Sequence, residues 1–233
     1  LFRNYCALFF GVLACVWHNV LFLLFMITWL PVLFLLIPSA YPIGTVATIV
    51  SLFKNGSTVN EIVDEGEIIV DNTCFYAEMG GQVADKGVIK SSSFEATVTN
   101  VTKAPNGQHL HFVKVSNGSI KLGDTVTLTI DVARRNAIRK HHSAAHLLQR
   151  ALKEVLGDHI AQAGSYVDDT KTRFDFNHFK KISSEELELI EKKVNDAILA
   201  SYPVVTEVMN IEMAKKSGAM ALFGEKYDEY WRC

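Results

Sequence analysis

The sequence predicts an α+β fold: a small antiparallel β-barrel-like subdomain followed by a two-layer helix-on-sheet domain, with an apolar N-terminal segment ahead of both. Three observations carry this. Between Gly44 and Ile130, short β-rich runs alternate with the turn pairs Asn55-Gly56, Gly80-Gly81, Asn106-Gly107 and Asn117-Gly118. From Asp131 the apolar period lengthens to three and four residues, which is helical. Charge is also divided: before Thr48 the only charged residue is Arg3, so nearly all of the 23 Lys+Arg and 25 Asp+Glu lie later. The expected parts are residues 1–44, 45–132 and 133–233.

Residues Tyr5 to Ala40 make an apolar block, and the run Val20 to Ile37 is about the length that spans a bilayer. It reads either as a membrane segment or as an artefact of the gene model, because Arg3 alone is a weak flank for a signal peptide. Strands are expected at Glu67–Val70, Val88–Ile89, Phe94–Thr102, His109–Val115 and Thr125–Ile130, close enough for a small barrel. Asp131 is the expected N-cap of a helix that Gly157 ends. A second helix is expected from Ser184 to Leu199, stopped by Tyr202-Pro203. Arg173-Phe174-Asp175-Phe176 alternates like a strand, Pro203–Met209 is another strand candidate, and Ile211–Ser217 reads as a short helix.

The net charge of -2 gives no global attraction to nucleic acid, so RNA contact requires a local patch, for which Arg134, Arg135, Arg139 and Lys140 are the candidates. Basic residues on a helix are also ordinary solvated surface. Cys6, Cys15, Cys74 and Cys233 are widely spaced and suggest no disulfide framework.

His142 and His146 lie four residues apart in the helical stretch, so both rings project from one face and could share a metal. Ser143 follows His142 where a zincin protease needs glutamate, which excludes that peptidase chemistry. Two imidazoles are half of a tetrahedral zinc shell. His141, His159 and His178 read as partly exposed or core-edge histidines. Gly80-Gly81 before Gln82 reads as a tight hairpin turn or as a place where backbone approaches a ligand.

Phe75-Tyr76-Ala77-Glu78-Met79-Gly80-Gly81-Gln82-Val83-Ala84-Asp85-Lys86-Gly87 resembles the F-Y-A-E-x-G-G-Q-x-x-D-x-G signature of alanyl-tRNA synthetases and their free-standing editing relatives. His142-Ser143-Ala144-Ala145-His146-Leu147-Leu148 resembles that family's H-S-A-T-H-L-L. Gly164-Ser165-Tyr166-Val167, Arg173 to His178 and Gly218 to Tyr227 resemble three further segments, in order. The resemblance implies the editing region of that family, which hydrolyses tRNA(Ala) mischarged with serine or glycine. It implies Zn2+ at His142 and His146, and Gln82 as the catalytic-site residue contacting the substrate or its terminal adenosine. Gly80, Gly81, Arg134, Arg135, Arg139, Lys140, Arg173 and Asp175 become the candidate substrate and tRNA contacts. ATP would belong only to an aminoacylation domain that this chain lacks.

The family's later C-x-x-x-H pair does not occur before Cys233, and the resemblance therefore implies an editing domain truncated at its C-terminal end. Three readings follow: a zinc-dependent aminoacyl-tRNA deacylase module, an inactive tRNA-binding remnant, or a remnant anchored in a membrane by residues 1–44. The first two imply a cytoplasmic or mitochondrial protein.

Overall fold

A computed structural model of the chain describes residues 42–203, 208–216 and 230–232. The apolar block up to residue 41 and the Gly218–Tyr227 motif lie outside them. No helix among the described residues is long and apolar enough to cross a membrane.

The strands are β1 (Gly44–Lys54), β2 (Ser57–Thr58), β3 (Glu61–Ile62), β4 (Glu65–Val70), β5 (Gly87–Lys90), β6 (Phe94–Lys103), β7 (His109–Gly118), β8 (Ile120–Lys121) and β9 (Thr125–Ile130). They are followed by helix α1 (Val132–Leu156), strands β10 (Gln162–Val167) and β11 (Thr172–Phe176), and helix α2 (Ser184–Ala200). Beyond Ala200 a separate compact unit contains β12 (Val208–Asn210), α3 (Ile211–Lys216) and β13 (Tyr230–Arg232), with β12 antiparallel to β13.

The large sheet runs β2-β1-β4-β7-β6-β5-β9, and β9 pairs back onto β1, closing a six-stranded antiparallel barrel. Closure removes the open edges of the sheet. Strand β9 shows why: in Thr-Val-Thr-Leu-Thr-Ile every second residue is buried, so Val126, Leu128 and Ile130 face the interior. With Ile49, Leu52, Ile68, Ile89, Val98 and Val101 they form one core.

Strand β1 closes the ring by serving two partners. Its first half pairs with β9 from Gly44 to Thr48, and its second half pairs with β4 from Ile49 to Phe53. Between Ile49 and Ser51 the register advances two residues on β1 for one on β4, so Val50 is an extra residue that bends the strand. The buried phase changes there, from Ala47 and Ile49 to Leu52.

Asp131 caps α1 by accepting the Arg134 N–H at 2.9 Å, and Gly157, at φ 112°, ends it by donating to the Lys153 carbonyl. The cap of α2 lies at Ser183, where the Ser183 hydroxyl accepts the Glu186 N–H and the Glu186 carboxylate accepts the Ser183 N–H. That reciprocal box fixes the helix start. Leu148 and Leu152 of α1, Ile190, Val194 and Ile198 of α2, and Phe174 and Phe176 of β11 share a second core. Helix α1 thus packs on the β10–β11 hairpin and on α2, and the two helices share one core with β11.

One polar chain runs through the barrel interior. His111 is fully buried; its Nδ1 lies 3.3 Å from the Ile68 carbonyl, and its Nε2 2.8 Å from the Thr73 hydroxyl, which also accepts the Phe75 N–H. A neutral ring satisfies both contacts, with Nδ1 donating and Nε2 accepting. Burial holds its pKa down at about 4 against an ordinary 6.5. The native state therefore resists protonation that the unfolded chain accepts. The stability this provides is complete above about pH 6.5 and is lost as pH falls toward 4, by up to about 3 kcal/mol. Urea unfolding midpoints across this window should fall in the protein and fall less steeply in His111→Gln; parallel profiles would assign the loss elsewhere.

Candidate functional site

The site is assembled from α1, the loop between β4 and β5, and the β10–β11 hairpin. On α1, Arg135, Arg139, His142 and His146 follow one another at four, three and four residues, hence along one helical face. The rings of His142 and His146 lie 5.0 Å apart between centroids. His142 is half-buried, and burial followed by the neighbouring His146 brings its pKa to about 4. His146 touches solvent, yet the protein around it lowers its pKa as well. Both rings are thus neutral near pH 7, the form whose lone pair can bind a metal.

The β4–β5 loop reaches this face through a Gly-Gly turn. Met79 and Gln82 exchange backbone hydrogen bonds across Gly80 and Gly81, at φ 63° and 81°. Two successive left-handed residues are the signature of a tight hairpin turn, and glycine adopts them without a Cβ penalty. The loop then lies parallel to β10: Val167 N–H donates to the Gly81 carbonyl at 2.8 Å, and Val83 N–H to the Val167 carbonyl at 3.1 Å. Between these two bonds Gln82 is buried, at 3% exposure, with its Oε1 2.7 Å from Nδ1 of His142. His142, His146 and Gln82 were singled out from the sequence, which could not join Gln82 to His142, 60 positions away.

The basic cluster divides. Arg135, 5% exposed, grips Asp85: its Nε donates to Asp85 Oδ1 at 2.8 Å, and its Nη2 donates to Asp85 Oδ2 and to the Cys74 carbonyl. It is therefore interior, and its guanidinium, expected among the tRNA contacts, is engaged by Asp85 and Cys74. Arg134 donates to the Ala84 carbonyl at 2.6 Å and pairs with Asp169 at 3.1 Å. Arg139 and Lys140 are half-buried, and burial with the nearby Arg135 lowers the Arg139 pKa. Arg173 and Asp175 form an ion pair at 3.0 Å on β11, away from α1's apolar contacts to Phe174 and Phe176.

Three residues had no role in the sequence reading. Asp85 is the counter-ion of Arg135 and also accepts the Tyr76 N–H at 2.7 Å. His141, read as a partly exposed or core-edge histidine, is buried, with Nδ1 2.7 Å from the Asp168 carbonyl, tying α1 to the β10–β11 turn. His178 is buried too and lies 2.9 Å from the exposed His159, ring nitrogen to ring nitrogen. Asp85 stands inside the quoted Gly-Gly motif, and an acidic residue there was the available signal.

As a metal centre the arrangement is partial. Two neutral imidazoles on one helical face suit zinc, and His142 has its second nitrogen engaged by an oxygen. Among the described residues no group of three or more His, Cys, Asp or Glu is placed to hold an ion. The pair therefore fits as two ligands of a shell.

The two glycines differ in what surrounds them. A Cβ on Gly80 would meet open space, whereas one on Gly81 would run into the Ser165 carbonyl. Gly80→Ala should cost roughly 1 kcal/mol for the left-handed backbone alone, and Gly81→Ala roughly twice that or more because the loop must leave β10. Urea midpoints of the two variants check the order; equal losses would contradict it.

Residues 40–134, which cover the barrel, match the model of the family described as tRNA synthetases class II (A). The chain is 49% identical over 188 residues to the alanine–tRNA ligase of Geobacillus thermodenitrificans, covering 80% of this chain and 21% of that protein. It is 51% identical over 179 residues to alanine–tRNA ligase 1 of Lachnoclostridium phytofermentans, covering 74% and 20%. With the alanine–tRNA ligase of Listeria monocytogenes it shares 49% over 189 residues, covering 80% and 22%. The chain thus spans about a fifth of the length of these relatives. With the barrel matched to a synthetase family and half of the aligned residues shared with alanine–tRNA ligases, the chain belongs to the alanyl-tRNA synthetase family.

Proposed function

We propose that this region hydrolyses tRNA(Ala) mischarged with serine or glycine, as the proofreading part of a protein whose whole activity is the ATP-dependent attachment of alanine to tRNA(Ala). The observation that carries the reading is the meeting of His142, His146 and Gln82, brought together from two distant segments. The need for such a site is physical. A pocket sized for alanine cannot exclude glycine and only weakly rejects serine, so a second, hydrolytic site must supply the selectivity.

His142 and His146 would hold zinc, which when bound polarises an ester carbonyl and lowers the pKa of water. The chain's own residues supply the frame: neutral imidazoles at the ion, and a loop fixed on β10 that shields His142 on one side. Gly80, Gly81, Arg134, Arg139, Lys140, Arg173 and Asp175, at the surface or half-buried, are the candidates for contact with the tRNA and its ester. A cytoplasmic or mitochondrial setting follows from such a substrate.

The test is deacylation of Ser-tRNA(Ala) against Ala-tRNA(Ala) by the zinc-supplemented protein and by a His142→Ala, His146→Ala variant. Hydrolysis selective for the serine ester should drop in the variant by more than the roughly 10- to 100-fold that loss of an outer contact costs. Equal rates in the two proteins, with tRNA still bound, would instead make this a binding region.

A further inference from the structure

Nδ1 of His142 lies 2.7 Å from Oε1 of Gln82. An amide oxygen only accepts, so the imidazole must donate from Nδ1, and in the neutral ring the lone pair then resides on Nε2. Water competes little for this bond, since Gln82 is 3% exposed and His142 half-buried. Gln82 has little freedom to leave it. Its N–H and carbonyl are both bonded to Met79, and its neighbours Gly81 and Val83 are bonded to the two sides of Val167.

The geometry points to Gln82 as a positioning residue, one that fixes His142 in the Nδ1–H tautomer and aims its Nε2 lone pair at the metal. This departs from the expectation that Gln82 touches the substrate, and it rests on the hydrolase reading for the identity of what Nε2 faces. The role is needed because a neutral histidine free in water favours the opposite tautomer, with the proton on Nε2. Left alone, His142 would present a proton where a ligand lone pair is required. Metal-binding histidines recurrently give their other N–H to an oxygen for this reason. The loop structure acquires a purpose from this: the Gly80-Gly81 turn and the parallel bonds to β10 deliver one amide oxygen to one ring nitrogen.

The experiment reads the tautomer directly. In protein labelled with 15N-histidine, without metal at pH 7.5, long-range 1H–15N spectra distinguish the protonated from the lone-pair nitrogen of His142, assigned by comparison with His142→Asn. The metal-free protein should show the proton on Nδ1. Gln82→Met, similar in size and lacking an acceptor, should move it toward Nε2 and weaken zinc binding, measured by chelator competition, roughly 10- to 100-fold. Gln82→Glu, whose carboxylate can accept the same bond, should restore the tautomer. A proton on Nε2 in the unsubstituted protein, or a Gln82→Met variant with unchanged tautomer and zinc affinity, would overturn the assignment. A chain that takes no zinc would defeat the hydrolase reading, while the tautomer would still decide the role of Gln82.

Discussion

The ion pair of Arg135 and Asp85 is the interaction on which the rest of the site depends. Both side chains are almost wholly buried, Arg135 at 5% and Asp85 at 3% exposure. A buried charge without its partner is a large penalty, so neither residue can be withdrawn independently. The geometry offsets the desolvation with more than one bond: Arg135 meets both carboxylate oxygens and the Cys74 carbonyl, and Asp85 also takes the Tyr76 N–H. Cys74 and Asp85 bracket the loop that carries Gly80, Gly81 and Gln82, and Arg135 stands in the first turn of α1. One guanidinium thereby closes the loop and fastens it to the helix. His142 lies seven residues on, about 10 Å along the same face, where the fastened loop presents Gln82.

The same helix holds the third element of the site. Arg134 pairs with Asp169 and His141 meets the Asp168 carbonyl, so the β10–β11 turn is tied to α1 from two directions. Asp168 in turn accepts the Thr170 and Lys171 N–H groups, which stiffens the turn itself. Barrel loop, hairpin and helix are therefore mutually braced by polar contacts, beside an apolar core that α1 shares with α2 and β11. Arg134 and Arg135 both serve this bracing.

Much of the fold was legible because its signals are local. Asp131 and Gly157 bound α1 as their cap chemistry predicts, and the alternation in β9 identifies an interior face without reference to any partner. Strand β1 was missed because the bulge at Val50 shifts its buried phase by one residue, which destroys the period that would reveal it. Strand β10, Gln-Ala-Gly-Ser-Tyr-Val, is half-buried with little alternation and takes its form from β11 and the Gln82 loop. At the site, the spacing of His142 and His146 was readable. The partnerships of Arg135 with Asp85 and of His142 with Gln82 were not, since they span 50 and 60 residues and depend on the closed barrel.

Hydrogen exchange on an Asp85→Asn variant tests the bracing most directly. If the ion pair fastens the loop, the Gln82, Val83 and Val167 amides should lose protection by about 3 kcal/mol, roughly 100-fold, as Arg135 is left buried without its counter-charge. Amides in the paired barrel strands β6 and β7 should keep theirs. Unchanged protection at Gln82 and Val83, or a loss shared equally by the whole barrel, would contradict the claim that this pair is what holds the loop against α1.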